Sequence, residues 1–364
     1  MTFRAHLDEL LSARGYTLDP AQRAAADRLA RLDEEWAQYK HARRNALLKL
    51  VARPEIPRGV YLWGAVGRGK SFLMDCFFSA VPLVRKTRIH FHEFMRGVHR
   101  ELDEVKGTAD PLDEVGRRIA RRARLICFDE FHVSDIADAM ILHRLMSKLF
   151  ELNVGLVMTS NYAPDDLYPD GLHRDRVVPA IALLKDRLDV VHVDAGVDYR
   201  LRAMEHIEAY LSPWGVEAEA KLAAAFERLA EIDDEDPVLE IEARRIRARR
   251  RAGGVVWFDF AVLCGGPRSH ADYLEIAAQF HTVLLSDVPR MSAGQASEAR
   301  RFTWLVDVLY DHRVKFLVSA EAAPADLYTA GVLVNEFGRT ASRLIEMQSR
   351  EYLESPKRDV VQRV

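Results

Sequence analysis

The string Gly64-Ala65-Val66-Gly67-Arg68-Gly69-Lys70-Ser71 constrains the fold more than any other stretch of the chain. It fills the pattern G-x-x-x-x-G-K-[ST], follows the apolar run Val60-Tyr61-Leu62-Trp63 and leads into the helix-like Phe72-Leu73-Met74-Asp75-Cys76-Phe77-Phe78. Glycines let successive backbone N–H groups turn toward phosphate oxygens with no Cβ in the way, and the following helix points the positive end of its dipole at the same spot. A strand, loop and helix in this order predict a nucleoside triphosphate cradle formed by residues 64 to 69 with Lys70, Ser71 and Phe72. Lys70 would reach the β- and γ-phosphates and Ser71 would hold Mg²⁺. The competing reading is a Gly-rich surface turn.

A chain of 364 residues can bury a large core, and its length suggests about two domains. The formal net charge of −3 calls for no polyanionic partner, so any nucleic-acid or membrane contact would have to come from a local patch. Cys76, Cys127 and Cys264 form no C-x-x-C pair and read as reduced core thiols of a cytosolic-type compartment. Residues 1 to 11 carry Asp8 and Glu9 and lack both a signal-peptide core and the acid-poor character of a transit peptide. The longest apolar stretch, residues 255 to 264, contains Asp259 and is too short to cross a bilayer. The expectation is a soluble, cytoplasmic protein.

Residues 19 to 50 show helical spacing, with Asp19-Pro20 as cap and first turn and Pro54 and Pro57 as stops. Past the loop helix, Thr87-Arg88-Ile89-His90-Phe91 reads as a strand and residues 107 to 111 as a break. Leu125-Ile126-Cys127-Phe128 is the continuous apolar run of a strand covered on both faces, and it ends in Asp129-Glu130. A helix over residues 136 to 150 precedes another buried strand that ends in Thr159-Ser160-Asn161. Strands alternating with helices, with polar residues at the strands' carboxyl ends, predict an open α/β sheet with its ligand above that edge. The expected divisions are a helical arm over 1–57, a nucleotide-binding core over 58–195 and a C-terminal region over 196–364.

In that last region residues 199 to 211 and 218 to 232 read as helical and residues 238 to 251 as strand-like. The block Arg244, Arg245, Arg247, Arg249, Arg250 and Arg251 is the one local basic patch, read as a solvated hairpin edge or, less favoured, an anionic partner site. An internal echo also appears. Val157-Met158-Thr159-Ser160 and Ala163-Pro164-Asp165-Asp166-Leu167-Tyr168 match Leu317-Val318-Ser319-Ala320 and Ala323-Pro324-Ala325-Asp326-Leu327-Tyr328 at an offset of 160. At that offset Asp129, Glu130 and Asn161 become Pro289, Arg290 and Glu321, so the echo predicts α/β structure without catalysis near the C-terminus.

Asp129 fits an outer ligand to the Mg²⁺ held by Ser71, and Glu130 is placed to polarise a water for in-line attack. Asn161 would sit between these elements, orienting that water and touching the γ-phosphate; its bland role is a turn former. Arg174 and Arg176 offer an arginine finger supplied across a subunit boundary, against a surface cluster with Asp170 and Asp175, with Arg174 the first choice. No Asn-Lys-x-Asp guanine reader is present, and Ser292-Ala293-Gly294-Gln295 lies far past the acidic strand, away from where a transporter signature belongs. His90 and His92 alternate beside Glu93, but a buried strand histidine is far commoner than a zinc ligand and no third ligand is placed.

Phosphate loop, Asp-Glu strand, Asn sensor and trailing Arg describe an AAA+ ATPase. The strings His90-Phe91-His92-Glu93-Phe94-Met95, Asp129-Glu130-Phe131-His132-Val133-Ser134-Asp135, Thr159-Ser160-Asn161, Gly171-Leu172-His173-Arg174-Asp175-Arg176 and Phe337-Gly338-Arg339-Thr340-Ala341-Ser342-Arg343 resemble the ZapE cell-division ATPases and their mitochondrial relatives. The likeness spans about residues 19 to 352 and departs from the family's usual Phe-Leu pair at Val177-Val178. It implies a parallel sheet flanked by helices, ATP and Mg²⁺ as cofactors, a homo-oligomeric ring with a hexamer as the expected size, and recruitment to the FtsZ division ring or another filament-forming client. An adaptor role in protein quality control and a helicase or its loader are the alternatives; the near-neutral charge speaks against nucleic acid. By analogy Phe94-Met95 would form a pore loop or pack in the core. Arg339 or Arg343 would contact the γ-phosphate from the far side, or pair with Glu336 or Glu346.

Overall fold

The computed structural model describes residues 1–14, 17–43, 55–65, 67–133, 136–169, 173–193, 207–230, 234–242, 244–355 and 357–358. The chain divides into two compact units, Met1–Val197 and Asp198–Val364. Among the described residues no helix is long and apolar enough to cross a membrane.

The first unit is built on five parallel strands, β1 (Gly59–Trp63), β2 (Lys86–His90), β3 (Leu125–Asp129), β4 (Gly155–Ser160) and β5 (Leu188–His192), in the order β2-β3-β4-β1-β5. The central strands are apolar on both sides because helices cover both faces. Val60, Leu62, Cys127 and Val157 pack with Leu73, Phe77, Leu29 and Trp36, from the Lys70–Ala80 and Pro20–Ala42 helices. Tyr61, Phe128 and Met158 face Ile119, Leu142, Leu145 and Ile181 on the other side. Asp19 caps the Pro20–Ala42 helix through a reciprocal box: Gln22 N–H donates to Asp19 Oδ1 at 2.8 Å and Asp19 N–H donates to Gln22 Oε1 at 3.1 Å. On the same helix Trp36 lies so close to β4 that a Cβ on Gly155 would lie 2.4 Å from the indole Cζ2.

The second unit has a five-stranded sheet in the order β6-β12-β11-β10-β9, from β6 (Tyr210–Leu211), β9 (Arg250–Ala252), β10 (Val255–Asp259), β11 (Thr282–Val288) and β12 (Lys315–Ala320). All neighbours run parallel except the β9 edge. A separate hairpin pairs β7 (Val238–Ile241) with β8 (Arg244–Arg247). The expected helix over 199–211 falls outside the described residues up to 206, and its described end is strand β6 instead, recruited by pairing with β12. The expected helix over 218–232 is Val216–Leu229.

The order β10-β11-β12-β6 repeats β2-β3-β4-β1. Helix Ile136–Glu151, strand β4 and the 3₁₀ turn Pro164–Asp166 recur at an offset of 160 as Ala296–Asp311, β12 and Pro324–Asp326. The strand ahead of each helix, β3 or β11, departs from that offset. Glu130 (φ 51°) and Asp287 (φ 63°) both adopt the left-handed conformation, and their N–H groups donate to Thr159 Oγ1 at 3.1 Å and Ser319 Oγ at 3.2 Å. Ser286 and Asp287 therefore correspond to Asp129 and Glu130, in place of Pro289 and Arg290, because the chain runs three residues further from Asp287 to Ala296 than from Glu130 to Ile136. Where the first unit has its glycine loop, the second has only Ser212-Pro213-Trp214-Gly215 ahead of its helix.

The carboxyl edge of that second sheet is bridged by Arg249, which pairs with Glu219, with Asp259 and, at 2.6 Å, with Asp287. Its neighbours in the basic block are paired too: Arg244 with Asp272, Arg250 with Asp234 and Glu227 while lying over Phe226, and Arg251 with Glu235. Arg245 and Arg247 are exposed on β8.

Two outcomes follow. Gly155→Ala must displace Trp36 and lowers unfolding stability by about 1–3 kcal/mol, measured by urea titration. Arg249→Ala, intermediate between an exposed and a buried pair, loses about 2 kcal/mol at pH 7.5. Burial already raises the Asp287 pKa and Arg249 opposes that rise, so without the arginine the folded state binds protons more readily than the unfolded chain. The loss then shrinks as pH falls to 5, and a loss that grows on acidification contradicts the account.

Candidate nucleotide site

At the end of β1 the chain turns through Gly64, whose φ of 152° and whose position would put a Cβ 2.2 Å from the Val193 carbonyl oxygen. Gly67 (φ 81°) and Gly69 (φ 73°) are left-handed, and helix Lys70–Ala80 starts with no side-chain cap on its first turn. Backbone donors are thus left pointing at the loop, the arrangement that binds anions. Lys70, buried at 6% exposure, folds over this loop: Nζ donates to the carbonyls of Gly64 at 2.8 Å and Ala65 at 2.7 Å and to Asn161 Oδ1 at 3.2 Å. Asn161 is delivered there by the end of β4, where Gly64 N–H also donates to the Ser160 carbonyl at 3.2 Å. Val66 lies outside the described residues. The Phe72 ring is a core side chain, which leaves only its backbone for a ligand.

One strand further on, Asp129 is buried and held at both oxygens by Arg88, Nε to Oδ2 at 2.6 Å and Nη2 to Oδ1 at 3.1 Å. Arg88 also grips Asp75, one turn beyond Ser71 on the loop helix. Glu130 stands half-buried just past the strand, and its left-handed backbone is locked from β4: Phe131 N–H donates to the Thr159 carbonyl at 2.7 Å and Ser160 Oγ donates to the Phe131 carbonyl at 2.7 Å. Such strain persists only where surroundings over-determine it. Burial pushes the nearby Cys127 thiol up to about 12, and all three cysteines are buried and free, so none offers a thiolate nucleophile.

For Mg²⁺ the donor chemistry fits: a Ser71 hydroxyl and the Asp129 carboxylate are hard oxygens, and this ion usually takes one or two protein oxygens beside phosphates and water. Among the described residues no cluster of three or more His, Cys, Asp or Glu forms a protein cage.

Arg174 and Arg176 occupy an exposed 3₁₀ turn; Arg174 donates to the Asp165 carbonyl at 2.7 Å and Arg176 lies 3.6 Å from Asp175. Their partners are not groups of the loop, and Asp170, Gly171 and Leu172 fall outside the described residues. Arg343 and Arg339 belong to the second unit, where Arg343 pairs with Asp307 at 2.7 Å and Asp311 at 3.3 Å and Arg339 with Asp307 at 2.9 Å; Glu336 and Glu346 are not their partners. Phe94 and Met95 are buried on helix Phe91–Glu104, Phe94 against Phe128 with ring centroids 4.7 Å apart, so the pore-loop reading gives way to core packing.

Sequence reasoning passed over Arg88 and Gln22. Gln22 Nε2 donates to the Arg68 carbonyl at 3.1 Å, tying the N-terminal helix to the phosphate loop. The signal for Arg88 was a charge in the middle of a strand, which demands a partner wherever that strand is buried.

Residues 1–356 match the family model described as AFG1-like ATPase. The chain is 46% identical over 297 residues to the Cell division protein ZapE of Escherichia coli K12, covering 81% of this chain and 79% of that protein. It is 38% identical over 349 residues to Lactation elevated protein 1 homolog B of Danio rerio, covering 83% of this chain and 69% of that one. With a glycine loop, a buried Asp129 followed by a half-buried Glu130, and an asparagine on the loop lysine gathered at one sheet edge, and with that match over nearly its whole length, the chain belongs to the AFG1-like ATPase family.

Proposed function

We propose that this protein hydrolyses ATP at the carboxyl edge of its first sheet and uses the cycle to remodel a protein assembly, a division filament of the FtsZ kind being the leading client. The observation that carries the reading is the bond from Lys70 to Asn161, which joins the phosphate loop to the strand end beside Glu130. The loop N–H groups of residues 65 to 69 receive the triphosphate, and Lys70 exchanges the carbonyls of Gly64 and Ala65 for phosphate oxygens. Mg²⁺, held by Ser71 and through water by Asp129, would neutralise charge developing on the β- and γ-oxygens. Glu130 takes the proton of the attacking water, and Asn161 orients that water. Arg174, with Arg176 second, reaches the γ-phosphate of a neighbouring copy in a homo-oligomeric ring, which suits their place on a 3₁₀ turn that buries neither side chain. Arg343 is a weaker candidate for a far-side contact, since two aspartates already engage it. The nucleic-acid alternative loses ground because four of the six block arginines are neutralised internally.

Lys70→Ala is expected to abolish nucleotide binding and turnover, whereas Glu130→Gln keeps binding and loses about 10²–10⁴ in kcat, read by steady-state phosphate release and fluorescent-nucleotide binding. Full turnover in either variant ends the mechanism. Arg174→Ala alone loses about 10³ or more in kcat, and mixing it with Lys70→Ala chains restores activity, each supplying what the other lacks. Absence of rescue removes Arg174 as a finger. Client choice is decided by light scattering of FtsZ filaments on adding ATP: bundling or disassembly supports it, and indifference together with flat, slow turnover favours the ATP-gated adaptor.

A further inference from the structure

Arg88 lies in the middle of β2 with its side chain only 9% exposed. Its fork grips both oxygens of Asp129, and its remaining nitrogen reaches Asp75. A planar guanidinium holding a carboxylate at two points fixes the plane and rotamer of that carboxylate, which a lysine cannot do. Asp75 sits four residues after Ser71 on the same helix, so a single side chain ties the helix with the proposed metal hydroxyl to the strand with the proposed metal carboxylate. The charges matter as well. One guanidinium between two carboxylates leaves the cluster net negative, so it still attracts a cation, and each carboxylate oxygen keeps a lone pair that Arg88 does not use.

We infer that Arg88, backed by Asp75, is a positioning residue for hydrolysis: it presets the spacing of Ser71 and Asp129 so that Mg²⁺ entering with the nucleotide meets two oxygens already in place. This rests on the reading of Asp129 given above. Asp75 contributes the second negative charge and the anchor in the loop helix.

The test titrates Mg²⁺ against turnover for the full chain and for Arg88→Ala, Arg88→Lys, Asp75→Asn and Asp129→Asn. Alongside it, a fluorescent ATP analogue is bound in EDTA, Mn²⁺ binding to the ADP complex is followed by electron paramagnetic resonance, and Tm is recorded. Arg88→Ala is expected to raise the Mg²⁺ and Mn²⁺ concentrations for half-saturation about 10–100-fold, as loss of an outer-shell partner does, while binding in EDTA is unchanged. Arg88→Lys recovers part of the loss, and Asp75→Asn shifts metal dependence the same way by less. Wild-type metal dependence in Arg88→Ala overturns the inference. So does an equal loss of binding with and without metal, which marks a merely structural pair. If Arg88→Ala does not fold, Arg88→Lys and Asp75→Asn decide by the same criteria. Asp129→Asn separates the two levels: retained metal dependence there removes the Asp129 reading and this inference together, whereas its loss beside unaltered Arg88 and Asp75 variants removes this inference alone.

Discussion

A parallel sheet covered on both faces leaves polar chemistry one place to gather, the edge where its strands end. In the first unit Val60, Tyr61 and Leu62, Ile126 to Phe128, and Leu156 to Met158 are enclosed, and polar groups gather where these strands end, at the Gly64 turn, at Asp129 with Glu130, and at Thr159, Ser160 and Asn161. Burial thus selects the site as much as catalysis does. The edge is then braced by short cross-links, Thr159 and Ser160 holding the backbone around Glu130 and Phe131, and Lys70 holding Asn161.

Much of this was legible because it is local. The glycine loop, the acidic strand end and the asparagine each announce themselves within a few residues, and their strand and helix contexts follow from apolar patterning. What stayed hidden depends on residues far apart in sequence. Arg88 meets Asp75 and Asp129 only after β2 lies against β3 and the loop helix packs above them; Gln22 meets the loop across 46 residues. Phe94-Met95 looked like a loop by analogy, yet the helix begins at Phe91 and packs its aromatic face on Phe128. In the C-terminal unit a fixed offset located a helix, a strand and a turn, and it failed at β11 because a longer connection slides that strand relative to its copy. Conformation, in the positive φ of Asp287 and its bond to Ser319, revealed the equivalence that letters concealed.

Arginine serves both sheets in the same way. A guanidinium taken from water needs full compensation, and a fork can satisfy several carboxylates at once. Arg88 does this between Asp75 and Asp129, and Arg249 does it among Glu219, Asp259 and Asp287. In each case carboxylates crowd a carboxyl-terminal edge and would repel one another without the cation.

The two edges differ in what stands beside the arginine: only the first has a glycine loop and a loop lysine next to its carboxylates. A diffusible ligand stabilises only the part that binds it, and only to the extent that its concentration exceeds its dissociation constant. Arg249 is tethered, so its local concentration is constant and does not depend on the energy charge of the surroundings. One half of this protein can therefore gain stability from the nucleotide it binds, while the edge of the other carries a counter-charge built into the chain.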